Sequence, residues 1–236
     1  MERDRDPHAA VDRAWLDIPD PVRLPAASQD VRRLPPTAPS PTRAQVRKTR
    51  FVTIVGCIAW SAIIVGLWGL RPDAHEVTAF LVLQLVVWTA LIVTAARTAL
   101  ASGDRGLGKP VLLVALVAVA VPLTFVVLGL WWRSEGAAGT LLETGTFSQF
   151  QGCAGLGLLA VVPMLGLSAW ALRRSFASAA AWRGGAWGAA LGLLASTILT
   201  LHCGVTFGGH IVLAHGAPLV LATLAGAIIG SKLAKA

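Results

Sequence analysis

Two cysteines and three histidines hold most of the reactive chemistry of this 236-residue chain. Leu201-His202-Cys203 ends one long apolar run, His210 and His215 open the next, and Cys153 opens an earlier one. Thiolate and imidazole can do three things when gathered. Two thiols can close a disulfide in an oxidising compartment. Cysteine sulfur and histidine nitrogen can hold zinc or copper. Imidazoles can also simply cap helix ends and hydrogen-bond locally. Spacing leaves all three readings open. Cα approach within ~7 Å is a property of the fold and not of the sequence. His210 and His215 are five apart, a poor match to one α-helical face, where ligands usually sit at i and i+4. The third cysteine, Cys57, lies within an apolar run and reads as a small buried hydrophobe. With no CxxC pair, three cysteines allow at most one disulfide within the chain.

The elements that must position these groups are apolar. The chain is 55% hydrophobic and only 14% charged, with a mean hydropathy of +0.68. A soluble domain is nearer one quarter charged. Six apolar segments, 51–70, 77–96, 110–132, 152–172, 184–204 and 210–232, are each about long enough to cross ~30 Å of hydrocarbon as a helix. The expected fold is all-α, an integral membrane bundle of six transmembrane helices over 51–236, preceded by a mostly disordered tail over 1–50. The first apolar run begins at Phe51, too late for a secretory signal, so it is expected to stay as an anchor.

The net charge of +8 and pI of about 10.7 would suggest nucleic acid in a soluble protein. Here the basic residues fall in alternate loops. Arg43, Arg47, Lys48, Arg50, Arg97, Arg105, Lys109, Arg173, Arg174, Arg183, Lys232 and Lys235 belong to one side, Arg71 and Arg133 to the other. Positive loops face the cytoplasm, which predicts a multi-pass membrane protein with both termini inside. Direct nucleic-acid binding is not expected, and the lipid bilayer takes the place of that partner. Cys153, Cys203, His202, His210 and His215 then share a layer near the outer interface.

Several classes are disfavoured. No Asp, Glu, Lys or Arg falls in the middle of a span, which argues against proton-coupled transport. Gln84 is the one amide well inside a span, where a helix–helix hydrogen bond is expected. P-loop, HExxH and GxSxG motifs are absent, so a non-enzymatic role is expected. No cofactor is called for beyond the metal reading of the cysteines and histidines. Gly184, Gly188 and Gly192 at four-residue spacing, with Gly226 and Gly230, read as close helix packing. Pro122, Pro163 and Pro218 predict kinks.

The tail is rich in Arg, Asp and Pro, as disordered segments are. Within it Trp15, Leu16 and Ile18 could line one face of a short helix, with Val22 and Leu24 after a proline break. Such a stretch fits a segment that folds on a protein partner.

From Cys153 onward the pattern resembles the NrsF-like family of six-helix membrane anti-sigma factors, which hold sigma factors of the extracytoplasmic-function (ECF) type inactive. The shared elements are Cys153, Pro163, the Arg173-Arg174 ending, the glycine-rich fifth helix, Leu201-His202-Cys203, and His210 with His215. Gly204 stands where the family usually has proline, and 205–209 lack its acidic residues. The resemblance implies a cytoplasmic tail that binds an ECF-type sigma factor and an outer face that senses an oxidant, a metal or a photo-oxidation product. It also implies that Cys153 and Cys203 are the sensing or structural pair. The choice of Trp15, Leu16, Ile18, Val22 and Leu24 as sigma-contacting residues rests on their apolar spacing alone. The alternatives are a membrane redox or metal-handling protein, a small-solute carrier, and a structural membrane subunit.

Overall fold

The computed structural model describes residues 42–72, 78–101, 110–131, 147–172, 179–205 and 208–233. Among these residues the structure is helical, without strands. The helices are α1 (Arg43–Trp68), α2 (Thr78–Leu100), α3 (Val111–Trp131), α4 (Phe147–Leu172), α5 (Ala180–His202) and α6 (Gly208–Leu233). Each is long and apolar enough to span a bilayer. Large apolar side chains face outward on several of them, such as Leu112 (71% exposed) on α3 and Val86 (61%) on α2. Water would not tolerate so much contiguous apolar surface on a monomer. The protein is a multi-pass membrane protein.

Three helices begin four or more residues earlier than hydropathy suggests, α5 among them at Ala180. α1 starts at Arg43 because Thr42 and Gln45 form a capping box: the Gln45 N–H donates to Thr42 Oγ1 (3.3 Å), and the Thr42 N–H donates to Gln45 Oε1 (2.8 Å). α4 starts at Phe147, which places Cys153 nearly two turns into the helix and not at its tip.

α5 is the axis of the bundle. Of its apolar window 89% is buried, against 22–39% for the other five helices. It touches all five, α6 most extensively. Its composition explains this. Apart from Trp187, the residues from Gly184 to Ala190 are all Gly or Ala and leave room for neighbours to close in. At the α5–α6 seam backbone meets backbone. A β-carbon on Gly184 would land on the Gly226 carbonyl oxygen, and one on Gly188 on that of Ala222. The close packing expected of these glycines is therefore present.

Polar side chains pin the outer helices to this core. Trp60 Nε1 donates to the Ala160 carbonyl at 3.0 Å, joining α1 to α4. Arg183, expected in a basic loop, is instead buried in the first turn of α5. There its Nη1 donates to the Ala99 and Ala101 carbonyls at 3.1 and 2.6 Å, capping the C-terminal end of α2. Cys57 is buried in the core, as expected of a small hydrophobe. Gln84 is buried too, but its Oε1 meets no hydrogen-bond partner among the described residues, contrary to the helix–helix bond expected of it.

Candidate functional site: a thiol–imidazole cluster at one end of the bundle

The cluster forms where α5 ends and α6 begins. α5 closes with the Cys203 N–H donating to the Leu199 carbonyl at 2.7 Å, which fixes Cys203 as the C-cap. α4 runs alongside and brings Cys153 to it. The two sulfurs are 3.2 Å apart, with both cysteines present as free thiols.

The histidines arrive by a less usual route. Residues Ile211–His215 wind as a single π-helical turn. A π turn closes over five residues where an α turn closes over four. His210 and His215, poorly spaced for an α-helix, thereby come onto one face, with ring centroids 5.3 Å apart in an edge-to-face arrangement. The Gly216 N–H reaches back to the Ile211 carbonyl, closing the wide turn. Ser196 Oγ on α5 donates to the His215 carbonyl at 2.6 Å and ties the turn to the central helix. Pro218, lacking an N–H, follows directly.

Cys153, Cys203, His210 and His215 offer one donor atom each, all within 4.8 Å of one another. His210 Nε2 lies 3.5 Å from the Cys203 sulfur. Both histidines are fully or almost fully buried, at 0% and 2% exposure. Neither ring nitrogen of His215 has a hydrogen-bond partner among the described residues. The Cys203 thiol, one residue beyond the span, is held well below the ordinary cysteine range. The hydrogen bond from Cys153 contributes most to this; burial opposes it, and His210 and His215 add to it. A cavity of about 310 Å³ lined by Trp68, Gly152, Cys153, His202 and Cys203 opens onto the sulfur pair.

His202 is not part of the cluster. Its Nδ1 lies 3.3 Å from the Gly69 carbonyl, at the end of α1. Gly69 has φ +78°, a left-handed conformation open to glycine at little cost. The neighbouring Arg71 N–H donates to the Leu201 carbonyl at 2.8 Å. His202 thus serves the α1–α2 connection, and the set named from sequence divides into four residues together and one apart. Trp15, Leu16, Ile18, Val22 and Leu24 lie outside the described residues.

A family profile described as NrsF, negative regulator of sigma F, matches residues 35–235. The chain belongs to the NrsF family. This NrsF-family protein is accordingly a negative regulator of a sigma factor. The match takes in all six helices and all four cluster residues, and begins after the tail segment around Trp15. No curated protein and no solved structure matches the chain.

Proposed function

We propose that this protein is a membrane-bound anti-sigma factor of the bacterial inner membrane, which sequesters an ECF-type sigma factor through its N-terminal tail and releases it on a signal received at the outer face. Alternation of basic residues supports the orientation. Arg43, Arg47, Lys48 and Arg50 begin α1, Arg97 ends α2 and Lys232 ends α6, all at the end of the bundle away from the cluster. By the positive-inside rule that end faces the cytoplasm. The tail then lies on the side where a sigma factor works.

The observation that carries the signal-sensing part is the 3.2 Å separation of Cys153 and Cys203, beside a cavity that reaches them. Two thiols so placed can be oxidised with little rearrangement. With a hydroperoxide as oxidant, one sulfur attacks the peroxide oxygen, an S–O bond forms, the O–O bond breaks, and water or an alcohol leaves. The second thiol then attacks the sulfenic sulfur, an S–S bond forms, and water departs with the remaining proton. The pair thereby loses two electrons to the peroxide. Oxidation would draw α4 toward α5 at the outer end, and the opposite end of α4, at Leu172, is its inner end.

Two measurements test the reading. The full-length protein in membranes is expected to retain its sigma factor on co-purification, and deletion of residues 1–40 is expected to abolish retention. A full-length protein that retains no sigma factor defeats the anti-sigma reading. Separately, the Cys153→Ser/Cys203→Ser protein is expected to leave a sigma-dependent reporter fixed, either off or on, under every inducing oxidant. A normal response from that variant defeats the thiol reading alone.

A further inference from the structure

We propose that Cys153, Cys203, His210 and His215 form a tetrahedral site for a d10 metal cation, Zn²⁺ or Cu⁺. The proposal refines the sensing cluster just described, but metal binding itself requires no sigma factor.

Geometry comes first. Zinc binds sulfur at ~2.3 Å and imidazole nitrogen at ~2.0–2.1 Å, so tetrahedral donors lie roughly 3.3–3.8 Å apart. The Cys153 and Cys203 sulfurs are 3.2 Å apart, and Cys203 to His210 Nε2 is 3.5 Å. No pair of donors in the set exceeds 4.8 Å. Closing the widest separation, 4.8 Å, by up to about 1.5 Å would complete the shell.

His215 supplies an independent observation. Its ring is 2% exposed and both of its nitrogens are without hydrogen bonds among the described residues. A buried polar group left unpaired destabilises the fold. A bond from one nitrogen to a metal removes that cost at the atom that would otherwise carry it. The π turn points the same way. Local π turns are rare and cluster at functional sites. This one converts a five-residue spacing into a shared face, with Ser196 holding its exposed carbonyl.

Charge and access are also suitable. Two thiolates and two neutral imidazoles around Zn²⁺ sum to zero, the arrangement that burial tolerates best. The cavity beside Trp68 and Gly152 gives an ion a route to the sulfurs from the end of the bundle. A disulfide between the same sulfurs removes both thiolate donors, so metal loading and oxidation exclude each other.

The test uses full-length protein in detergent, reduced and freed of metal with a chelator. Zn²⁺ is titrated against a chromophoric competitor, Cu⁺ against a bicinchoninate competitor, and Co²⁺ is added as a spectroscopic probe. One ion per chain is expected. Co²⁺ should give the intense red-region bands of a tetrahedral ion with a thiolate charge-transfer band in the near ultraviolet. The Zn²⁺ and Cu⁺ titrations show which cation is held more tightly. Losing an outer-shell partner of a metal ligand weakens binding 10–100-fold, so removing a ligand itself is expected to cost more than about a hundredfold. That loss is expected for Cys203→Ser and for His215→Ala, while Cys57→Ser should bind as the parent does. Far-ultraviolet circular dichroism confirms helicity. If His215→Ala fails to fold, His215→Cys restores a donor and should bind. Absence of a stoichiometric ion from both Zn²⁺ and Cu⁺ titrations, or parent-like affinity in a folded His215→Ala protein, overturns the site. Sigma-factor retention is measured on the same preparations. A protein that takes up neither ion yet still holds its sigma factor therefore sinks the metal site and leaves the anti-sigma reading standing.

Discussion

Gly188→Ala tests whether the α5–α6 seam sets the architecture of the site. The added β-carbon would fall on the Ala222 carbonyl oxygen, 2.8 Å from its carbon and 3.1 Å from Thr223 Cα. The obstacle is backbone, which cannot swing aside as a side chain can. The helices must part by about 1 Å, and a gap of that size forfeits a quarter to a half of each facing contact. Overpacking of this kind costs about 1–3 kcal/mol. Alanine recovers up to ~1 kcal/mol of that through its better helix propensity. With that recovery the net expectation is a loss of up to about 2 kcal/mol. Gly66→Ala is the control, because a β-carbon there meets nothing within 4 Å. It should be neutral or gain about 0.5–1 kcal/mol. Thermal unfolding of both proteins in one detergent, followed by tryptophan fluorescence, gives the comparison. If Gly188→Ala is as stable as Gly66→Ala, the seam is not backbone on backbone and the reasoning fails.

Arg183→Met removes two charge-assisted hydrogen bonds and leaves the Ala99 and Ala101 carbonyls without that partner. The expected loss is about 3 kcal/mol, seen as a lower unfolding midpoint, with Arg183→Lys recovering only part because it lacks the guanidinium fork. His202→Ala removes the contact with the Gly69 carbonyl. It should cost about 0.5–1 kcal/mol, read as a lower unfolding midpoint in the same detergent.

The six spans were legible because apolar runs of about 20 residues have few other uses. Their starts were less so. The Thr42-to-Gln45 capping box was present in the sequence, but in a basic, proline-rich neighbourhood where hydropathy gives no signal. The glycine spacing announced close packing; that α5 would be the buried axis followed only from the tertiary arrangement. At the site, alternation of helix direction put Cys153, Cys203 and the three histidines in one outer layer, but not which of them touch. A shared face for His210 and His215 was not legible, because a five-residue spacing argues against one in an α-helix. The wide turn that reverses this conclusion has only Gly216 and Pro218 as local cues. Arg183 was misread as a loop charge, since a basic residue at a span boundary looks the same whether it faces water or caps a neighbouring helix.

The proposed thiol switch makes a mechanical demand that Gly157→Ala can test. Oxidation shortens the sulfur separation from 3.2 Å to about 2.05 Å, so the outer end of α4 must approach α5 by about 1 Å. One turn inward, Gly157 packs directly on Pro218 of α6 and against Leu199 of α5, with no room for a β-carbon. That contact is the natural pivot, because the α5–α6 seam behind it cannot yield. At 1.5 Å per residue the pivot lies about 6 Å from Cys153 and about 22 Å from Leu172. A rigid α4 would turn the 1 Å approach into a swing of about 4 Å at its inner end, reduced by whatever bending Pro163 allows. Gly157→Ala pushes α4 off the pivot. It should leave Cys153 and Cys203 able to form a disulfide, as judged by thiol labelling after oxidation, while weakening the sigma-dependent reporter response several-fold. A variant that oxidises and signals like the parent would show that displacement of α4 is not what carries the signal inward.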